Sequence, residues 1–382
     1  MLIKSIRLIN YRNYCEEQFE FHDKLNIITG KNAQGKTNLI EAINLLSLGK
    51  SFRTKREQEM ITEGKDFFSV KGVFKKENKE YTVEIIHNSN ETVRKKYLIN
   101  GVEKDKIFDL FGGVYTIVFS PEDIEIVKGN PGERRSFLDR EIILLRPLYY
   151  KKLRTYKRLL MNRNALLKQE EINKDLLDVY DEKMAEAGAE VVAERLAYIK
   201  ILSEAGRKNE EDITNQKERL EIKYETNINK LEDNSETRRI TKLLHEEIAN
   251  TREKDIRVGS TEKGPHRDDF KLLVNGKDLK IFGSQGQKRT AALAIKLAEE
   301  KLIREEIGEA AIILLDDVMS ELDIDRQNGI IESFKDNQIF ITAADISESF
   351  ISKLPEGKII NIESGRSSGV SQLKTEAACD II

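Results

Sequence analysis

Cysteine is nearly missing: the 382 residues hold two, Cys15 and Cys379, at opposite ends of the chain. That excludes a disulfide framework and a cysteine-rich zinc site. Histidine is almost as scarce, and its four copies (His22, His87, His245 and His266) show no metal-ligand spacing. Long apolar runs are lacking too, and none approaches the ~18 consecutive apolar residues of a membrane span. The opening Met-Leu-Ile-Lys-Ser-Ile-Arg-Leu is broken by charge and does not read as a signal peptide. Excess charge of one sign is also absent, since 64 Lys and Arg against 67 Asp and Glu leave a net charge of -3. A chain that is not basic overall can meet nucleic acid only through a local patch. Together these absences point to a soluble protein of a reducing, cytoplasmic compartment.

What the chain does hold is charge of both signs, 34% of its residues, with 39% apolar residues to build a core. The high charge content favours long solvated helices, and the length suggests two to three domains at ~150 residues each. Residues 1–48 read as strand, strand, glycine loop and helix, with Leu39, Ile43 and Leu46 at helical spacing. Residues 68–120 are β-rich, with Asn100-Gly101 as a hairpin signal. Residues 133–212 are rich in Leu, Lys, Arg, Glu and Ala and form a helical lobe without sustained heptads. Strands return over 256–283, with a second hairpin signal at Asn275-Gly276. A helix, the apolar strand Ala311 to Leu315, another helix and the strand Gln338 to Thr342 follow. The expected division is an N-terminal core segment at 1–125, an inserted helical lobe at 126–253, a C-terminal core segment at 254–363 and a mobile tail at 364–382. The fold class is α/β, one core split in two with the helical lobe between its halves.

Gly30-Lys31-Asn32-Ala33-Gln34-Gly35-Lys36-Thr37 matches the phosphate-loop pattern G-x-x-x-x-G-K-[ST] between an apolar strand and an amphipathic helix. Glycines let backbone N–H groups turn inward around phosphate oxygens, and the helix N-terminus adds its dipole. Lys36 would meet the β and γ phosphates, and the Thr37 hydroxyl would ligate Mg²⁺. Far along the chain, Ile312-Ile313-Leu314-Leu315-Asp316-Asp317 is an aliphatic strand ending in two carboxylates. Asp316 could hold Mg²⁺ directly or through water, and Asp317 could orient the attacking water. The plainer alternative is a core strand ending in a solvated turn. Ser284-Gln285-Gly286-Gln287-Lys288-Arg289 precedes a helix; it is either an ordinary N-capped start or a second anion site.

These motifs resemble the ABC-type ATPases, the group that contains the SMC-like DNA repair proteins. In that group the signature segment of one subunit, here Ser284, Gln285, Gly286 and Gln287, contacts the γ-phosphate on the other. Ser320-Glu321-Leu322-Asp323 is similar to the group's D-loop. Leu8 to Tyr14, Phe119 to Asp123, Gly129-Asn130-Pro131, Arg134-Arg135, Phe137-Leu138-Asp139, Asn162-Arg163-Asn164 and Gly264-Pro265-His266-Arg267-Asp268-Asp269 narrow the resemblance to the RecF family of bacterial recombination mediators. The resemblance implies an ABC-type ATPase head formed from N- and C-terminal segments with an inserted helical lobe. It implies an ATP-induced homodimer that binds duplex DNA at gaps and works with RecO and RecR in loading RecA. Two departures from general ABC ATPases suit slow hydrolysis: Asp317 stands where Glu is usual, and Thr342-Ala343-Ala344-Asp345 lacks the switch histidine. Rival readings are a non-hydrolytic ATP-gated clamp, a monomeric P-loop kinase or NTPase, and a transporter's ATPase subunit.

Arg12 and Asn13 either touch the nucleotide, as the N-terminal strand does in similar ATPases, or form a strand-end turn. Arg146 to Lys168 carries eight basic residues, among them Lys151, Lys152, Arg154, Lys157, Arg158 and Arg163, and no acid; Tyr149, Tyr150 and Tyr156 are interleaved. Such a helix either runs along DNA phosphates or is a solvated face packed on a partner helix. Arg53, Lys55 and Arg56 form a second candidate patch. Contacts of this kind position without reading bases, so little sequence preference is expected.

Overall fold

The computed structural model describes residues 1–54, 56–77, 79–92, 94–319, 324–344 and 354–373. The chain divides into two compact units, Met1–Pro121 with Ile303–Ile382, and Glu122–Leu302.

In the first unit the helix Lys36–Leu48 is covered on both sides, and eleven of its thirteen residues are buried. One cover is an antiparallel sheet in the order Tyr14–Glu20, Leu2–Tyr11, Phe67–Lys76, Lys79–Asn88, Lys95–Ile99, Val102–Lys104. The other is a sheet in the order Arg366–Leu373, Gly357–Glu363, Leu25–Thr29, Ile339–Ala343, Ile312–Asp316, Thr116–Phe119, in which the last five strands run parallel. Parallel strands buried on both faces read as continuous aliphatic runs; all five residues of Ile312–Asp316 are buried. The helix also carries polar groups inward, where each finds a partner: Asn44 Nδ2 donates to Thr116 Oγ1 at 2.9 Å and Ser47 Oγ to the Val114 carbonyl at 2.8 Å. The expected one-faced apolar stripe is therefore half of what this helix buries.

The mobile tail expected from 364 begins instead with an ordered edge strand, Arg366–Leu373, paired antiparallel with Gly357–Glu363. Its residues are almost all exposed, so polar composition is what an edge strand requires here. The turn is made by Ser364 and Gly365, both at positive φ (50° and 72°), the left-handed pair a two-residue hairpin demands.

The second unit holds the helices Pro131–Leu145, Leu148–Leu166, Lys174–Ile213, Thr237–Val258 and most of Gln285–Ile307. A small antiparallel sheet, Lys277–Asp278, Asp269–Val274 and Leu220–Glu225, completes it. Residues 254–302, expected with the C-terminal core segment, thus cluster with the helices. The strings around Arg134, Asp139 and Gly264 to Asp269 are joined here by a buried polar network. Arg134 makes a two-pronged bond to Asp269 (2.7 and 2.5 Å), and Arg195 binds Asp139 at 2.8 Å and the Pro265 carbonyl at 2.7 Å. Tyr224 donates to Asp268 at 2.7 Å, and Tyr156 OH meets His266 Nδ1 at 2.6 Å. His266 is thereby a packing residue; burial pushes its pKa down to about 4. Among the described residues no helix is long and apolar enough to cross a membrane.

Candidate functional site

The turn between the strand Leu25–Thr29 and the helix Lys36–Leu48 depends on glycine at two positions. Gly30 and Gly35 have φ of 141° and 120°, where a side chain is strained. A Cβ on Gly30 would lie 2.2 Å from the Ile362 carbonyl oxygen. A Cβ on Gly35 would lie 2.9 Å from the Asn13 amide and the Tyr14 hydroxyl. The Lys36 ammonium folds back across the loop and donates to the carbonyls of Gly30 (2.5 Å) and Lys31 (3.0 Å). Burial lowers its pKa, against the opposite pull of Asp317 and Asp316.

The acidic strand Ile312–Asp316 brings its end to this loop. Asp316 Oδ1 accepts from the Thr37 hydroxyl at 2.9 Å and from the Thr342 hydroxyl at 2.8 Å. Thr342 Oγ1 in turn accepts from the Asp317 backbone N–H at 2.9 Å. Asp317 sits at φ 56°, in the left-handed region, which turns the chain at the strand end. A cavity of about 280 Å³ opens here, lined by Asn32, Ala33, Gly35, Lys36, Thr37, Asn38, Arg53, Asp317 and Thr342. Hydroxyl and carboxylate oxygens beside one another are the donors a hard divalent cation takes, so Thr37 and Asp316 fit Mg²⁺.

Sequence reasoning paired these motifs but missed what braces them. Asn13 Nδ2 donates to the Gln34 carbonyl (2.8 Å), its Oδ1 accepts from Asn38 (2.8 Å), and the Tyr14 hydroxyl donates to the Gly35 carbonyl (2.9 Å). From the far end of the chain, Gly365 N donates to the Gln34 carbonyl (3.0 Å) and Ser364 N to Gln34 Oε1 (2.5 Å). Thr342, noted only as standing where a histidine was expected, is the hydroxyl that holds both aspartates. Arg12 is tied to other partners. Its Nε and Nη2 are bound to buried Glu41 (2.8 and 2.6 Å) and its Nη1 to the Glu59 carbonyl (2.7 Å).

Arg53, expected in a DNA patch, lines this cavity. Glu41 binds Ser51 and thereby folds the chain after the helix back, and Arg53 Nη1 donates to Asn38 Oδ1 at 2.8 Å. Arg56 is exposed and lies 3.8 Å from Glu59. Lys55, Ser320 and Asp323 lie outside the described residues.

In the second unit Ser284, Gln285 and Gly286 are exposed at the start of the helix Gln285–Ile307. Ser284 Oγ accepts from Gln287 N (3.2 Å) and Gln287 Oε1 accepts from Ser284 N (2.9 Å), the reciprocal bonds of a capping box. Gln285 Oε1 accepts from Lys128 at 2.8 Å. On the helix Leu148–Leu166 the basic residues split by face. Lys151, Arg154, Lys157 and Arg158 are exposed, whereas Lys152 is bound to Glu194 at 2.7 Å. Arg163 is wholly buried on Asp181 (2.7 Å) and Asp255 (2.8 Å), and Tyr149 and Tyr156 are core residues. These three are removed from the candidate DNA surface, because this helix packs its i, i+7 and i+14 positions inward.

The family model for the RecF/RecN/SMC N-terminal domain matches residues 2–356. A Clostridioides difficile (strain 630) protein named DNA replication and repair protein RecF is 39% identical over 365 residues, 96% of this chain and 97% of that one. The chain belongs to the RecF family. A RecF of Alkaliphilus oremlandii (strain OhILAs) is 42% identical over 361 residues, 94% of this chain and 98% of its own. A solved structure of the recombination mediator protein RecF-ATP in the RecFOR pathway superposes with a TM-score of 0.90 at 38% identity, covering 98% of each chain. An SMC head bound to the C-winged helix domain of ScpA shares the fold at 17% identity and a TM-score of 0.55. The architecture is thus the ABC-type head fold of RecF and SMC proteins.

Proposed function

We propose that this RecF-family chain is a Mg²⁺-dependent ATPase that binds duplex DNA as an ATP-joined homodimer in replication and recombinational repair. The observation that carries the reading is the Thr37 hydroxyl against the Asp316 carboxylate beside the Lys36 loop. Backbone N–H groups of residues 31–36 and the helix N-terminus would receive the phosphates of ATP. Lys36 neutralises the β and γ phosphates, and in doing so exchanges its bonds to the Gly30 and Lys31 carbonyls for phosphate oxygens. Arg53, at the cavity wall, supplies a second positive charge, and Asn13 keeps the loop open from behind. Thr37 and Asp316 would hold Mg²⁺, which supplies charge neutralisation at the phosphates. Asp317 orients water for attack; its side chain is shorter than Glu, in keeping with slow turnover.

Ser284 and Gly286 would meet the γ-phosphate bound by a second copy, so that ATP joins two chains and hydrolysis parts them. The D-loop segment Ser320–Asp323 belongs to the same proposal. Exposed Lys151, Arg154, Lys157 and Arg158, with Arg56 as a further candidate, would track DNA phosphates without reading bases. Cooperation with RecO and RecR is supported by the relative described in the RecFOR pathway; loading of RecA, in the cytoplasm, belongs to the same proposal.

The test is ATP turnover per chain against protein concentration, with and without duplex DNA. Turnover that rises with concentration and with DNA supports a composite site coupled to DNA. Turnover independent of both would mean that each chain holds a complete site, and the dimer reading fails. Lys36→Ala is expected to lose nucleotide binding. Asp317→Asn is expected to keep binding and to form a long-lived dimer.

A further inference from the structure

We propose that Glu41 is a positioning residue: its buried carboxylate holds both ends of the segment 51–59 and so delivers Arg53 to the wall of the cavity beside Lys36. The consequence for nucleotide binding rests on that cavity being the ATP site.

On the helix Lys36–Leu48, Glu41 follows Thr37 by four residues and Asn38 by three, the spacings that share a helix face, and both of those residues line the cavity. Its side chain is 0% exposed. A buried charge is costly unless it is paired, and leucine or isoleucine fills most of the other buried positions of this helix. Here the charge is met twice. Arg12 forks onto it, with Nε to Oε2 at 2.8 Å and Nη2 to Oε1 at 2.6 Å, and Arg53 Nη1 lies 3.5 Å from Oε2. One carboxylate therefore faces two guanidinium groups. The fork belongs to Arg12. Arg53 is held by the longer contact and by a neutral acceptor, Asn38 Oδ1 at 2.8 Å. Its charge is thus only partly met, and it can serve an anion in the cavity it lines.

The same carboxylate anchors the segment at both ends. Near its start the Ser51 hydroxyl donates to Glu41 Oε1 and accepts from the N–H groups of Arg53 (2.9 Å) and Thr54 (3.1 Å), which turns the chain there. At its end Arg12 Nη1 donates to the Glu59 carbonyl (2.7 Å), and Thr54 Oγ1 donates to Glu59 Oε2 (2.5 Å). Lys95 adds a second clamp, joining the Gly49 carbonyl (2.7 Å) to Glu57. From Arg53 the path runs inward. Asn38 Nδ2 donates to Asn13 Oδ1 (2.8 Å), and Asn13 Nδ2 donates to the Gln34 carbonyl (2.8 Å) inside the loop 30–37. Arg12 thus acts on the site through Glu41, as a second positioning residue. Without the Glu41 charge two like charges share one place, and the Arg53 side chain, 38% exposed, swings to solvent.

The experiment uses the full chain and Mg²⁺-ATP, with Glu41→Gln, Ser51→Ala and Arg53→Ala, and with each of the first two combined with Arg53→Ala. One readout is the rate of limited trypsin cleavage after Arg53 in the absence of nucleotide; the other is ATP affinity by titration calorimetry. Glu41→Gln and Ser51→Ala should each speed the cleavage and weaken ATP binding by about three- to tenfold. Arg53→Ala should weaken it about tenfold. In the Arg53→Ala background neither should weaken it further, whereas the effects of independent groups multiply. Ser51→Ala keeps the Arg12 fork, so it decides the question if Glu41→Gln does not fold. Faster cleavage with parental ATP affinity in every single variant would uphold the positioning and refute Arg53 as a phosphate contact. Parental cleavage in Ser51→Ala, or losses of affinity that multiply in the double variants, would overturn the proposal.

Discussion

Replacing Arg163 with Ala separates a structural arginine from a DNA-binding one on the same helix. The side chain is 0% exposed and holds Asp181 at 2.7 Å, Asp255 at 2.8 Å and the Thr261 hydroxyl at 2.8 Å. Removing it leaves Asp255 without its cation and Asp181 with Arg252 alone, 3.2 Å away, and breaking a buried pair in this way costs about 3–5 kcal/mol. For a unit of this size each kcal/mol moves the midpoint by roughly 2–4 °C, so a fall of roughly 6–20 °C is expected. The loss should shrink at acidic pH. Burial already raises Asp255 even with Arg163 beside it; without the arginine its folded-state pKa climbs further. A folded state that binds the proton more tightly than the unfolded chain gains stability as pH falls. The control is Arg158→Ala, exposed on the same helix, expected within about 0.5 kcal/mol of the parent. The assay is urea unfolding followed by circular dichroism, alongside duplex-DNA affinity of the folded protein. A stability loss under about 1 kcal/mol together with a tenfold loss of DNA affinity would refute the packing of Arg163 and return it to the phosphate-contacting face.

Three further outcomes are expected. Gly365→Ala places a Cβ 2.2 Å from the Asn13 carbonyl at a φ of 72°; it should cost about 1–3 kcal/mol and weaken nucleotide binding, and parental values for both would show that the turn does not brace Gln34. Arg154→Ala with Arg158→Ala should lower duplex affinity alike on all sequences and flatten its salt dependence by about two phosphate contacts; an unchanged salt slope would remove this face from the DNA surface. His266 is held neutral down to about 4 by burial, whereas the unfolded chain takes up the proton near 6.5. Stability is therefore full above about 6.5 and falls by up to about 3 kcal/mol as pH drops to about 4. His266→Asn should lose that slope in pH-dependent thermal unfolding, and retaining it would assign the slope to another group.

Some of this protein is determined by residues near one another in the chain. Gly30, Gly35 and Lys36 form a phosphate loop because positive φ, a missing Cβ and a helix start are local properties. Asn100-Gly101 and Asn275-Gly276 turn their hairpins for the same reason, each pair at φ of 51° and 77°. The five aliphatic and acidic residues of Ile312–Asp316 announce a buried strand ending in a carboxylate. The family strings were legible as strings, but their work was not: Arg134 is joined to Asp269, and Asp139 through Arg195 and Tyr224 to Asp268, across long separations. Tertiary structure alone decided which basic residues of Leu148–Leu166 face water and that Arg53 lines the cavity beside Lys36. It also decided that Thr342 ties both aspartates and that a polar segment after Gly365 completes a sheet edge. Residue type does not tell a charged side chain buried on two distant carboxylates from one facing solvent; they differ in which surface closes over them, and that depends on every other element of the fold.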